Sequence, residues 1–142
     1  FYIGGTKNGA LLGEAIVINN STLDENFRYN IKQKGGMLAK GRLIGIQFSE
    51  LFKNNLFFEL GKHANTMANK LAEEISNKGY DFLTEPSSNQ IFPILPNHKI
   101  EELQQDFEFY SWQKIDDNNS AVRLVTSWAT PEEKVLEFIN KI

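Results

Sequence analysis

The chain has 142 residues, a formal net charge of −3, no cysteine and two histidines. A compact chain of this size buries roughly two-thirds of its unfolded surface, and without cysteine it has neither a disulfide nor a thiolate metal or nucleophile site. Acids and bases are interspersed, which leaves no basic footprint for nucleic acid or an anionic membrane, and the two separated histidines argue against a zinc site.

Phe1-Tyr2-Ile3 is predicted as a short strand and Gly13-Glu14-Ala15-Ile16-Val17-Ile18 as a second, largely buried one. No apolar run approaches the roughly 18–20 residues that span a bilayer, and the start lacks the pattern of a signal peptide. A start inside a strand leads us to expect the C-terminal portion of a longer, cytoplasmic protein. Between the two strands lies Gly4-Gly5-Thr6-Lys7-Asn8-Gly9, a glycine-rich turn carrying one lysine.

Asn19-Asn20-Ser21 reads as a turn, and Thr22 with Glu25 as a capping box opening a helix to about Lys34, stopped by Gly35-Gly36. The next helical pattern runs from Met37 to about Lys53. It is apolar on so many sides that it is expected to be buried or at an interface. Lys40 and Arg42 at its start read, from the residues alone, as solvated helix charges. The longest helix is expected from about Asn55 to Lys78, with Phe57, Leu60, Ala64, Met67, Ala68, Leu71 and Ile75 on one face and Gly79 as its C-cap. His63 lies beside that face and reads as a packed helix residue, outside any site.

After Gly79 the texture changes to short segments. Tyr80–Leu83 and Gln90–Leu95 are predicted strands around a Glu85-Pro86-Ser87-Ser88-Asn89 turn, and Pro96-Asn97 opens a helix bearing Ile100 and Leu103. Phe107–Gln113 and Ala121–Trp128 form an expected hairpin around Asp116-Asp117-Asn118-Asn119. Thr130-Pro131-Glu132-Glu133 then signals a terminal helix with Val135, Phe138, Ile139 and Ile142 on its buried face.

Two residues carry candidate chemistry. Lys7 does not fit a phosphate-binding Walker loop, since threonine precedes it, asparagine follows it and a strand comes next. It remains either a solvated turn lysine or a Schiff-base lysine, whose amine condenses with a carbonyl cofactor and needs a short, defined backbone. In Ala121-Val122-Arg123-Leu124-Val125-Thr126-Ser127-Trp128 the period of two puts Arg123 with Ala121, Val125 and Ser127, opposite Val122, Leu124 and Trp128. Taken by itself that strand describes a solvent-face arginine, of a kind able to grip a carboxylate with two parallel hydrogen bonds.

The string Ile3-Gly4-Gly5-Thr6-Lys7-Asn8-Gly9-Ala10 with Gly13-Glu14-Ala15 resembles the cofactor-lysine segment of low-specificity L-threonine aldolases. These are β-eliminating lyases among the fold-type I pyridoxal-phosphate enzymes. The likeness continues through Gln33-Lys34-Gly35-Gly36-Met37-Leu38, His63-Ala64-Asn65-Thr66-Met67-Ala68 and Val122-Arg123-Leu124-Val125-Thr126-Ser127-Trp128, covering nearly the whole chain.

The resemblance implies an α/β fold: the last strands of a cofactor-binding large domain over 1–54, a linking helix over 55–79, and a small α+β domain with an antiparallel sheet over 80–142. It implies pyridoxal 5'-phosphate on Lys7, with Gly5 and Thr6 beside it, no metal, and Arg123 on the substrate α-carboxylate. The implied reaction is retro-aldol cleavage of L-threonine or L-allo-threonine to glycine and acetaldehyde by a homo-oligomer whose interface lies near the active site. Alternatives are another β-eliminating lyase of amino acids, a non-catalytic module binding a ligand or partner, and a purely structural module. The remaining cofactor ligands are expected outside this chain, so the chain alone is expected to be inert.

Overall fold

The computed structural model describes residues 1–142, an α/β arrangement with two antiparallel sheets. It divides into two units, Phe1–Glu59 and Leu60–Ile142.

In the first unit β1 (Tyr2–Gly4) pairs antiparallel with β2 (Glu14–Ile16) in the register Tyr2 to Ile16 and Gly4 to Glu14. The second strand is not largely buried as its sequence suggests: Glu14 and Ile16 are exposed. A two-stranded ribbon buries a face only where another element packs on it, and on its own it is marginal in water.

The single helix expected from Thr22 is two helices, α1 (Ser21–Asp24) and α2 (Phe27–Gln33). The capping residue is Asn20, whose Oδ1 accepts from Thr22 N at 3.0 Å, so Thr22 lies inside the first turn rather than capping it. The break falls at Asn26, with φ of 59°, a left-handed conformation that asparagine tolerates better than most residues. The next helix, α3 (Arg42–Leu51), starts later than expected, with Lys40 in the turn before it and Arg42 at its first position. Its buried side chains are Phe48 and Leu51, and most of its other apolar residues are exposed.

Left-handed Asn54 and Asn55 then turn the chain into α4 (Leu56–Asn77), within which the unit boundary falls. The last carbonyls of α4 are closed by Gly79 N donating to Ser76 O and Tyr80 N to Ile75 O, with Gly79 at φ of 85°. That paired pattern is the glycine C-cap the sequence indicates.

The second unit is a sheet covered by helices. β6 (Asn119–Val125) is its central strand. One edge of β6 pairs with β5 (Tyr110–Lys114), and the other with β3 (Gln90–Ile91) and β4 (Ile94–Pro96). The expected Gln90–Leu95 strand is interrupted at Phe92-Pro93, because Pro93 has no N–H for a ladder. Its carbonyl still accepts from Val122 N at 3.0 Å. The expected Tyr80–Leu83 strand is reduced to a bridge between Phe82 and Pro93.

The inner face of β6, Val122 and Leu124, joins a core with Leu71 and Ile75 of α4, Ile91, Leu95, Ile100 and Leu103 of α5 (Asn97–Leu103), and Val135, Phe138 and Ile139 of α6 (Glu132–Lys141). Ile75, Leu95, Leu103 and Val122 are wholly excluded from solvent, each contributing about 1.5–3 kcal/mol by burial. Thr130 does not cap α6: Pro131 O accepts from Lys134 and Val135, while Thr130 Oγ1 accepts from Ser127 N at 2.8 Å. Trp128, expected on the bulky face, lies beyond the end of β6 and is exposed.

Candidate functional site

In the first unit the glycine turn is built around the carbonyl of Gly5, which accepts from Asn8 N at 3.0 Å and Ala10 N at 2.9 Å. Residues Thr6–Asn8 thereby form one turn of tight helix, left by Gly9 at φ of 97°. Only glycine enters that region without steric cost. Further bonds fix the flanks. Asn8 Nδ2 donates to Phe57 O at 3.2 Å, and Leu11 N donates to Gln47 Oε1 at 2.7 Å, while Gln47 Nε2 donates to Leu43 O.

Gly5 is buried, and a Cβ placed there would lie 2.6 Å from Ala10 Cβ and 2.9 Å from Phe48 Cζ. On this tied-down backbone Thr6 and Lys7 are exposed. Lys7 belongs to none of the six ion pairs, which involve Lys53, Lys70, Lys99, Lys114, Lys134 and Lys141. Gly5, Thr6 and Lys7 are thus brought together as one feature: a primary amine without a carboxylate partner, on a short backbone pinned at both ends.

Arg123 belongs to the second unit. It lies on β6 directly opposite Tyr110 of β5, on the face away from Val122 and Leu124. Its Nε donates to Gln90 Oε1 at 3.0 Å, and its guanidinium carbon lies 5.9 Å from the Tyr110 ring centre and 5.8 Å from that of Trp112. The cation is therefore held by neutral groups alone, since none of the ion pairs includes it.

Beside it runs a groove of about 370 Å³, lined by Arg123, Tyr110, Phe109, Phe138 and Lys134 among others. Lys134 is held above its ordinary value, chiefly by its hydrogen bond to Glu137 and then by that carboxylate's charge, so it is a firm cation at neutral pH.

The end of β6 is clasped to β3. Thr126 N donates to Asn89 O at 3.0 Å and Asn89 Nδ2 to Thr126 O at 2.7 Å, while the buried Thr126 hydroxyl donates to Ala64 O of α4 at 2.7 Å. His63 Nε2 lies 2.9 Å from Thr130 O, a packing role with no link to the arginine. Sequence reasoning missed Gln90, Tyr110 and Trp112. The two aromatics, spaced by two on an otherwise polar strand, carried a signal that they share a face; Gln90 carried none, because its register against β6 is not written locally.

The first unit thus presents a lysine without an ion-pair partner on a glycine turn, and the second an arginine held by neutral groups on a central strand. A solved threonine aldolase of Leishmania major superimposes with a TM-score of 0.94 at 47% identity, over 99% of this chain and 41% of that one. Two curated relatives are low-specificity L-threonine aldolases: that of Pseudomonas aeruginosa is 31% identical over 98% of this chain, and that of a Pseudomonas species 29% over the same share. The chain spans about 40% of the length of each. No established family profile matches. Together these matches support the C-terminal portion of an L-threonine aldolase.

Proposed function

We propose that the protein of which this chain is part is a carbon–carbon lyase that cleaves L-threonine or L-allo-threonine to glycine and acetaldehyde, with pyridoxal 5'-phosphate as cofactor. The observation that carries this reading is the unpaired amine of Lys7 on its pinned turn. That donor set suits the cofactor, because covalent capture of an aldehyde needs a primary amine on a defined backbone. At the end of the strand before the turn, a Cβ on Gly4 would meet nothing within 4 Å, and Thr6 and Lys7 are exposed.

When bound, the cofactor supplies the electron sink that lets the Cα–Cβ bond break. Lys7 Nζ would hold it, and the same amine, when free of it, would be placed to take up a proton released in the cleavage and return it at Cα of glycine. Thr6 offers a hydroxyl beside it, and Gly5 lets the turn close without a side chain. Arg123 binds the α-carboxylate through paired hydrogen bonds, which fixes the substituents about Cα. Losing that clamp costs about 2–5 kcal/mol, by comparison with truncating a buried charge pair.

On this reading residues 1–54 complete a cofactor-binding domain, 55–79 link it onward, and 80–142 form the small substrate-binding domain. The working enzyme is a cytoplasmic homo-oligomer acting on a free amino acid. The test is borohydride reduction of the whole, cofactor-saturated protein followed by peptide mass analysis. A pyridoxyl group on Lys7, lost in Lys7→Arg because guanidinium stays protonated, is the expected result. Folded, saturated protein without an adduct at Lys7 overturns the proposal.

A further inference from the structure

We propose that Gln90 is a positioning residue for the substrate carboxylate: by taking up Nε of Arg123 with a neutral acceptor, it turns the guanidinium so that the Nη1 and Nη2 end meets the incoming anion. This rests on the reading of Arg123 as the carboxylate clamp.

A guanidinium offers two forks, one along Nε and an Nη and one across its two Nη nitrogens. Nε of Arg123 is used by Gln90 Oε1 at 3.0 Å, which leaves the terminal fork free. Because Nε only donates, the amide of Gln90 must face it with its oxygen. The guanidinium carbon lies over the rings of Tyr110 and Trp112, at 5.9 and 5.8 Å from their centres, where the ring faces attract the cation.

Gln90 is itself held in place. It pairs across the ladder with Val125, its N–H donates to Ser88 Oγ at 3.2 Å, and the neighbouring Asn89 is clasped to Thr126. Gln90 therefore lies one diagonal step from Arg123 on adjoining strands, a separation that long side chains bridge.

Its neutrality matters as much as its reach. An acidic residue there would form an ion pair with Arg123 and compete with a substrate that recognises the site by the same charge. A glutamine orients the cation and leaves its charge uncompensated.

The test uses the whole, cofactor-loaded enzyme with Gln90→Leu, Gln90→Glu and Arg123→Lys, reading KM and kcat for L-threonine and, by calorimetric titration, the Kd of glycine. Gln90→Leu is expected to raise KM and the glycine Kd by about tenfold, the worth of one oriented hydrogen bond to a charged group, with kcat changed less. Gln90→Glu is expected to weaken glycine more at neutral pH and to regain affinity, relative to wild type at the same pH, as acid neutralises the new carboxyl. That recovery reports that position 90 faces the clamp; the positioning role is read from the KM-against-kcat split of Gln90→Leu, which a merely structural role would not produce.

Gln90 is exposed, so neither of its variants threatens the fold. If Arg123→Lys raises the glycine Kd while Gln90→Leu leaves it within about twofold, the positioning role is overturned and the clamp stands. A glycine Kd unmoved by Arg123→Lys overturns the clamp itself, and the role of Gln90 with it.

Discussion

Replacing Gly5 by alanine isolates the steric argument for the lysine turn. Gly5 has φ of −103° and ψ of −29°, a conformation open to any L-residue, so the change carries no backbone strain. The obstacle is space: the new Cβ would lie 2.6 Å from Ala10 Cβ and 2.9 Å from Phe48 Cζ. Carbon atoms pack at about 3.5–4.0 Å, so about 1 Å of movement is needed. Phe48 is buried on α3, and Ala10 is held to the same turn by its own bond to Gly5 O.

Overpacking of this kind costs about 1–3 kcal/mol. Relief by releasing the Ala10 amide loses about 1 kcal/mol more. Gly4→Ala, whose Cβ meets nothing within 4 Å, is the comparison. Amide exchange at Asn8 and Ala10 should accelerate by at least about tenfold in Gly5→Ala and hold steady in Gly4→Ala, tenfold corresponding to about 1.4 kcal/mol. On the proposed function, the misplaced turn should also cut the fraction of Lys7 trapped by borohydride in the whole, cofactor-saturated protein. Wild-type exchange at both amides in Gly5→Ala would refute the argument that the turn is closed because position 5 lacks a side chain.

Other expectations follow from the second unit and from the chain's extent. Thr126→Val keeps the shape but removes the buried bond to Ala64 O, and should lower stability by about 1–2 kcal/mol in urea melts, with Thr126→Ser retaining most of it. In the β5–β6 hairpin, bonds from the Asn119 side chain first and then the Asn118 amide hold the Asp116 carboxyl below its ordinary value of 3.8. A depressed folded value means the stabilisation is complete above the unfolded value and is lost as pH falls through the folded one. Acid titration below about pH 4 should therefore loosen this hairpin, followed by exchange at Asn118 and Asn119, and Asp116→Ala should remove that dependence. The 142-residue chain assayed alone with added cofactor should release no acetaldehyde from L-threonine above buffer; turnover would show that the ligands assigned to the rest of the enzyme are dispensable.

Much of the second unit was legible because its elements report their own boundaries. The apolar face of α4, its closing Gly79, the proline opening α6 and the Asp116–Asn119 loop are local signals, and each determines a turn or an end. What was not legible depended on competition between neighbours. Asn20 outcompeted Thr22 for the cap, leaving Glu25 outside the helix, and left-handed Asn26 then divided the expected helix. Pro93 removed one ladder donor and split a strand whose apolar pattern was continuous. The helix of Arg42–Leu51 buries Phe48 and Leu51 but leaves Leu43 and Ile46 exposed, which shows that a pattern apolar all round says a surface is to be covered without saying by what.

The two candidate residues differ in how sequence defines them. Lys7 is specified locally: glycines on either side dictate a tight turn, and the turn dictates that its lysine projects. Arg123 is specified by alternation only as far as its face. Its surroundings are set by Gln90, thirty-three positions away, and by Tyr110 and Trp112 of the other neighbouring strand. A solvent-face arginine and an anion clamp have the same strand pattern. What separates them is whether the cation is surrounded by carboxylates or by neutral groups that orient it, and β-sheet register decides that from residues remote in the chain. Here β3 and β5 bring an amide and two rings to the arginine, so its positive charge stays unspent on internal partners and available to an external carboxylate.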